Sequence, residues 1–515
     1  MKTRKSFVLS VDLSVPEPGN NTADAERLKE AVKKKSGIDS LFIPLSVLKE
    51  LPLKIRRWNH RVKLVMFKDS GTWFTVAIEN PEKKEPICGI AADIGTTRIV
   101  LRLLNLETGD NLGEKSFDNP QAVIAPDVLA RIHHATDDAG RKELQSLIVE
   151  EMNRNIAFLS RSCRLDPSCV YLFCGAGNTA MTHLFLGLDP SYIIREPYIP
   201  CVNTPEPVSA LEIGLKMNPS AQVFLFPNIG SYFGGDLISG ILYAEIHKKE
   251  NPCIMVDVGT NAEVVVGNRD WLIACAGAAG PALEGGMSDM GMTAGPGVID
   301  KVTIDRNTGD IDLRTIDNIP AIGLCGSGMI DLAAGLFLSG MIDIRGKFSK
   351  KKCRSRLFEK DGISCFRLID KDVSGTGKDI ILSQTDIDSL TSSKAAMYSI
   401  LEVMVNNTAG LSFNDLSKFY VAGTFGSFIN PESAISIGML PDIPMEKFEV
   451  LGNSSLKGAA KLLLDPDCFE EINEIRKSIT YIELNVNQEF MNIFSGAKFY
   501  PHTDKAKFPS VTAMM

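Results

Sequence analysis

The 515-residue chain lacks an excess of basic residues: its formal net charge is −8. A nucleic-acid backbone or an anionic bilayer therefore finds no general basic face on it. No apolar run approaches the length that spans a bilayer. A leader is also missing by pattern. The N-terminal MKTRKSFVLSVDLSV is basic, but Asp12 interrupts its apolar stretch and no small-residue cleavage site follows, so it reads as a strand. Of the 11 cysteines none forms a CxxC. The nearest group, Cys163, Cys169 and Cys174, has steps that do not match iron–sulfur ligands. An odd, scattered set without a leader predicts reduced thiols in a cytoplasm. GxxxxGK[ST] does not occur, which excludes a P-loop, and no clean GxGxxG follows a strand to suggest a Rossmann site.

What is present is globular, with 44% hydrophobic and 23% charged residues. The length corresponds to roughly three units of about 150 residues. Residues 1–85 read as a small α/β domain, closed by the charged, proline-bounded PEKKEP. From Cys88 the grammar changes. CGIAADIGTTRIVLRLLNLETGD runs strand, glycine turn, strand, and CIMVDVGTNAEVVVGNRDWLIAC repeats it a domain length later. Two related α/β lobes, 88–250 and 251–500, are expected, followed by an irregular surface tail over 501–515.

The two turns are the main chemical signal. A Gly after a strand-end Asp allows a tight turn and lets backbone N–H groups approach an anion. Thr hydroxyls add donors, and the carboxylate can hold Mg²⁺ directly or through water. Gly95, Thr96 and Thr97, with Gly259, Thr260 and Asn261, are therefore candidate phosphate contacts, and Asp93 and Asp257 candidate metal ligands. Facing each other, two such turns would clamp phosphates and metal between the lobes. GLCGSGMIDL is a third glycine turn, opening a helix. There Gly326, Ser327 and Gly328 leave room for a flat adenosine or a phosphate. Asp331 is expected in the first turn of that helix, as dipole partner or ribose contact. VAGTFGSF is a fourth, with Gly423 and Gly426 around Phe425. His183 reads as a core or cap residue.

In that order, DxGTT, DxGTN, GxCGSG and AGxFG resemble the phosphate, adenosine and connecting motifs of the actin–hexokinase–Hsp70 superfamily. More narrowly, the chain resembles the reductive activators of corrinoid-dependent enzymes. The resemblance rests on CGIAADIGTTRIV, DNPQ, GNTAMTHLFLGLDP, PNIGSYFGGDLISGIL, VDVGTNAEVVVGNRD, AAGPALEGG, GLCGSGMIDL and YVAGTFGSFINPESAISIGMLPD. It implies a two-lobed, actin-like ATPase of duplicated ribonuclease-H-like lobes behind a small α/β domain. It also implies ATP and Mg²⁺ as cofactors, Asp93 and Asp257 organising metal and water, and Glu263 orienting the attacking water. The implied activity is ATP-driven return of cob(II)amide to cob(I)amide on a corrinoid-binding protein. Relatives in that family usually carry an iron–sulfur module. No cysteine set here supplies one, so no cluster is expected and a separate donor such as a ferredoxin would deliver the electron. A homodimer is left open. A small-molecule kinase and a non-redox remodelling or assembly ATPase of the same superfamily are the alternatives.

Overall fold

The computed structural model describes residues 6–69, 71–259, 262–277, 290–423, 429–483 and 488–515. They form two compact units: 1–243 with 454–477, and 244–453 with 478–515. The chain therefore leaves the second unit at Ser454, contributes two helices to the first, and returns. The expected boundaries at 85, 250 and 500 do not show this excursion.

In the first unit, β1 (Val8–Asp12), β2 (Leu41–Phe42), β3 (Arg61–Asp69) and β4 (Thr72–Glu79) make a four-stranded sheet in the order β1-β3-β4-β2. It carries α1 (Asp24–Ser36) and α2 (Leu45–Arg57). Helix α1 has acids in its first turn, lysines in its last, and Gly37 in the left-handed region (φ 71°) as its stop. The second sheet of the unit contains β5 (Cys88–Ile94), β6 (Arg98–Asn105), β7 (Asn111–Asp118), β8 (Val170–Ala176), β9 (Val208–Ser209) and β10 (Gln222–Leu225). Its order is β7-β6-β5-β8-β10-β9. Strands β5–β7 are antiparallel neighbours, whereas β8 and β10 run parallel to β5. Parallel central strands are covered on both faces, so β8 (VYLFCGA) is buried throughout. The covering helices include α3 (Val128–His134), α4 (Asp138–Ser162), α5 (Thr179–Leu186), α6 (Gly235–Ala244) and the returning Ser454–Leu464 helix.

The second unit repeats this pattern. After β11 (Cys253–Val258), β12 (Ala262–Gly267) and β13 (Leu272–Gly277) come two three-stranded sheets. One holds β14 (Val298–Ile304), β15 (Ile311–Thr315) and β16 (Gly323–Leu324). The other holds β17 (Leu357–Lys360), β18 (Ile363–Ile369) and β19 (Ile380–Ser383). The main sheet then resumes with β20 (Lys418–Ala422), β21 (Phe448–Gly452) and β22 (Ile479–Tyr481), in the order β21-β20-β11-β12-β13-β22. Read from β13, this is again three antiparallel strands followed by two parallel ones. The duplicated, actin-like α/β architecture is thus present in strand order and direction as well as in the turn motif. Helices α7 (Gly326–Leu338), α8 (Lys350–Cys353) and α9 (Gln384–Glu402) belong to this unit, and the basic stretch 347–356 includes α8 with Cys353 buried. Among the described residues no helix is long and apolar enough to cross a membrane.

The C-terminal segment is not the expected irregular tail. A short helix spans Pro509–Met514, and Phe508 and Val511 are 0% and 1% exposed within the second unit's core. Upstream, the buried Lys394 of α9 donates to the carbonyls of Phe499 and Pro501. Burial lowers its pKa well below the ordinary value. This segment is therefore structural. Phe508→Ala should cost about 3–5 kcal/mol of unfolding free energy, read by calorimetry or denaturant melts. A change within about 0.5 kcal/mol, as at a solvated surface, would contradict this placement.

Candidate functional site

In the first unit, Asp93 is the penultimate residue of β5 and is half-buried. The turn behind it has no room for a side chain at Gly95, where a Cβ would stand 2.3 Å from the Arg98 carbonyl oxygen. Two asparagines brace this turn. Asn119, 1% exposed, donates its side-chain amide to the Gly95 carbonyl (2.9 Å) and its backbone N–H to the Thr97 carbonyl (2.8 Å). Asn178 caps α5 by accepting from Met181 N–H, and its amide donates to Thr96 Oγ1 at 2.9 Å. Thr96 is half-buried and Thr97 exposed.

Around Asp93 the structure assembles groups from distant parts of the chain. Ser455, in the first turn of the returning helix, donates its hydroxyl to Asp93 Oδ1 at 2.9 Å. Neighbouring Ser454 is 1% exposed, and its hydroxyl has no hydrogen-bond partner among the described residues. Gly458 of the same helix packs where a Cβ would meet the Ser239 carbonyl oxygen at 2.0 Å, which seats this helix against α6. At the start of α6, Asp236 lies within the field of Asp93. Burial first, and the Asp93 charge second, push its carboxyl up to about 7. Two carboxylates and a helix N-terminus thus converge beside the turn.

The corresponding place in the second unit has a different design. Asp257 and Glu263 are direct cross-strand partners in the β11–β12 hairpin and project to one face. Like charges in that arrangement repel, and a cation shared with phosphate oxygens would relieve the repulsion. Gly423 follows β20 with φ 86°, and a Cβ there would stand 2.5 Å from Asp257 Oδ1. Glycine is thus required by backbone conformation and by the close approach of the carboxylate. Gly259 is half-buried, and Thr260, Asn261, Phe425 and Gly426 lie outside the described residues.

The α7 turn uses its small residues for packing. Gly328 meets the Ile299 carbonyl, which a Cβ would approach to 2.6 Å, and Ser327 donates to the Asp300 carbonyl at 3.2 Å. Asp331 is not in the first turn of α7. It lies buried a turn further on and accepts from Val302 N–H at 3.4 Å. Burial raises its pKa. Its partners are therefore the β14 backbone and the Ser433 hydroxyl instead of the helix terminus.

Four residues of this site carried no role in the sequence reading: Asn119, Asn178, Asp236 and Ser455. Each follows a local signal. Asn178 and Ser455 stand where a strand or turn passes into a helix, as cap residues do. Asp236 opens the apolar run LISGILYA. Asn119 precedes Pro120, and its side chain also accepts from Gln121 N–H. None of those signals says which turn the side chain will brace.

Among the described residues no group of three or more His, Cys, Asp or Glu could hold a metal ion. The carboxylates instead fit Mg²⁺ in its usual protein setting, with one or two acidic ligands, water and substrate phosphates. A duplicated sheet whose first hairpin carries an Asp-x-Gly-Thr turn, twice, defines the actin-like nucleotide-binding class. Comparison with known proteins specifies it further. A family model described as the C-terminal domain of RACo, the ASKHA domain, matches residues 251–512. Models of the RACo middle region and linker region match 88–249 and 4–85. The chain belongs to the RACo family. It is 32% identical over 435 residues to the corrinoid activation enzyme RamQ of Eubacterium limosum, covering 82% of this chain and 72% of that protein. It is 26% identical over 441 residues to the [Co(II) methylated amine-specific corrinoid protein] reductase of Methanosarcina barkeri, covering 79% and 76%. The solved structure of a reductive activator for a corrinoid, iron–sulfur protein superposes with a TM-score of 0.89 at 37% identity, over 99% of this chain and 81% of that one.

The raised pKa of Asp236 sets a pH signature for the nucleotide- and metal-free protein. Its carboxyl ionises near 4 when unfolded but near 7 when folded. Stability from this group is therefore complete below pH 4 and lost as pH rises to 7. Asp236→Asn removes that titration. Melting curves in chelator should show the variant gaining on wild type between pH 4 and 7 and keeping a constant lead above. A pH-independent difference would show that Asp236 ionises normally.

Proposed function

We propose that this protein reductively activates a corrinoid-carrying methyltransfer protein, returning cob(II)amide to cob(I)amide with the free energy of ATP. The observation that carries the reading is the pair of strand-end carboxylates behind glycine turns, Asp93 with Gly95 and Asp257 with Gly423, in a RACo-family chain. The comparisons support the corrinoid partner through what the relatives are named for.

The residues divide the work as follows. Backbone N–H groups at Gly95 and Gly259, and the side chains of Thr96, Thr97, Thr260 and Asn261, contact the phosphates. Asp93 in the first unit and Asp257 in the second are the carboxylates that would hold Mg²⁺, which would offset negative charge on phosphoryl oxygens. Ser455 fixes one oxygen of Asp93, so the carboxylate is oriented before nucleotide arrives. Glu263 or Asp236 positions the attacking water. Asp236 fits this role through its place in the field of Asp93, Glu263 through its place opposite Asp257. Gly326, Ser327 and Gly328 border the adenosine, with Gly423, Phe425 and Gly426 completing the nucleotide contacts.

The redox step adds one electron to cob(II)amide, while ATP and water become ADP and phosphate. The electron comes from a separate donor of the ferredoxin class. This reading rests on the cysteine spacing, in which no CxxC occurs and Cys163, Cys169 and Cys174 do not match iron–sulfur ligands. Reduction to cob(I)amide is uphill from ordinary donors, so ATP must favour a conformation or ligation state in which the electron is accepted.

The test follows cobalt absorbance and phosphate release together, with a low-potential reductant and a cob(II)amide-loaded corrinoid protein. Wild type should produce cob(I)amide only with ATP and Mg²⁺ present. Asp93→Asn and Asp257→Asn should each lower kcat for ATP by about 10²-fold, the order expected for loss of one preorganised electrostatic group. ATP hydrolysis without a cobalt change, across several corrinoid proteins, would refute the proposal and favour a kinase or remodelling ATPase.

A further inference from the structure

Four large side chains on two stretches of the first unit stand in solvent: Tyr192 (59% exposed), Tyr198 (41%) and Ile199 (62%) on one, Tyr232 (43%) on the other. The Tyr198 and Tyr232 rings are 5.9 Å apart, so at least these two share a patch. Exposed aromatic residues of this kind are the usual anchors of protein interfaces. The segment that carries them is pinned. Tyr198 sits at φ 60°, a region non-glycine residues rarely adopt. It is held there by its N–H to the Arg195 carbonyl and by its own carbonyl, which accepts from Ser231 Oγ, both at 2.6 Å. Asn203 fastens the two stretches together, accepting from Asn228 Nδ2 at 2.8 Å and from Gly230 N–H at 3.1 Å.

Those pins lead back to the phosphate turn. Asn178, bonded to Thr96 Oγ1, is followed by Thr179, whose hydroxyl donates to the Gly230 carbonyl at 3.1 Å. On the other side, His183 Nδ1–H donates to the Thr179 carbonyl (2.7 Å), and its Nε2 accepts from Cys201 N–H (3.0 Å). His183 is fully buried, and burial lowers its pKa, which keeps the ring neutral in this arrangement. Thr96 is thus connected through one helical turn to both stretches that display the patch. A phosphate oxygen that accepts from the Thr96 hydroxyl polarises the same oxygen that accepts from Asn178, and so alters the first link of both connections.

We infer that the patch of Tyr198, Ile199 and Tyr232 is where the corrinoid-carrying protein docks, and that the Thr96–Asn178–His183 connection makes its presentation depend on bound nucleotide. This rests on the function proposed above. The choice of occupant follows from two features. The anchors are uncharged and the segment is not basic, which disfavours nucleic acid and anionic lipid. The patch is also continuous, bond by bond, with the nucleotide turn, as suits a partner whose binding must follow the ATP cycle.

Cys201 supplies a reporter, being the exposed cysteine and lying within the pinned segment. Its rate of maleimide labelling, read by peptide mass, should change at least threefold when a non-hydrolysable ATP analogue with Mg²⁺ is added. Thr179→Val, which cuts the hydroxyl link to Gly230, should weaken that change while still binding the analogue. Separately, Tyr198→Ala/Ile199→Ala should leave partner-free ATP hydrolysis unchanged. It should raise KM at least tenfold for a cob(II)amide-loaded corrinoid protein that wild type activates. Unchanged KM would overturn the docking surface, and nucleotide-independent labelling would overturn the connection. If wild type activates no corrinoid protein, the functional reading fails and this occupant with it, whereas the labelling result still judges the connection alone. Loss of self-association in the double variant, with KM intact, would assign the patch to a second copy of this chain.

Discussion

Each main sheet must hold a carboxylate at the end of a central strand without neutralising it, and the surrounding structure follows from that requirement. A strand-end Asp among buried neighbours costs free energy unless neutral donors or a cation satisfy it. In the first unit one such donor is the hydroxyl of Ser455, and the adjoining turn is braced by two amides, Asn119 and Asn178. None of these three groups carries a charge, so none of them offsets the attraction of Asp93 for a metal ion. Lys or Arg in place of Ser455 would hold the carboxylate more strongly and compete with the cation. Neutral bracing of this kind is therefore compatible with a metal and nucleotide that come and go.

The same need has two solutions, and the contrast shows what duplication preserves. Both units retain the strand order, the antiparallel hairpin and the glycine turn. They differ in what confronts the carboxylate. Asp93 meets Ser455 and, through its field, Asp236. Asp257 meets Glu263 across the hairpin and the backbone of Gly423. In the first case the second acid comes from a helix far along the chain, in the second from the next strand. The geometry of a single turn is thus inherited with the sheet, whereas its acidic neighbours are supplied separately in each unit.

That distinction also explains what could be read in advance. The turns themselves were legible because everything they need is local: a strand run, an Asp, and a Gly where Arg98 carbonyl leaves no space for Cβ. The duplicated sheet followed from seeing the pattern twice. Ser455 was not legible as a neighbour of Asp93, because the helix that carries it leaves one unit to join the other, and no periodicity records which core an amphipathic helix will choose. Phe508 and Val511 illustrate the same limit. Two apolar residues in a polar terminal stretch look like a tail until a core with matching space receives them. Asp331 shows a third: its sequence position suggested the helix dipole, but burial against β14 gave it a backbone N–H to satisfy.

Under the proposed function, the serine-held carboxylate and the pinned loop pose one thermodynamic question. A nucleotide can shift the partner's binding only by the difference between its affinities for two arrangements of the protein. A hydrogen bond to Thr96 altered by a bound phosphate is a change of about 1 kcal/mol, or several-fold in an equilibrium constant. That scale suits a partner that must be gripped in one nucleotide state and released in the next. A charged link would be worth more, but it would also bind tightly in both states and slow release. Asn178 and His183, both uncharged and both fully engaged, therefore fit a modest, reversible coupling better than a salt bridge would. The large free energy of ATP would then be directed to the cobalt step, with little of it consumed in holding the partner.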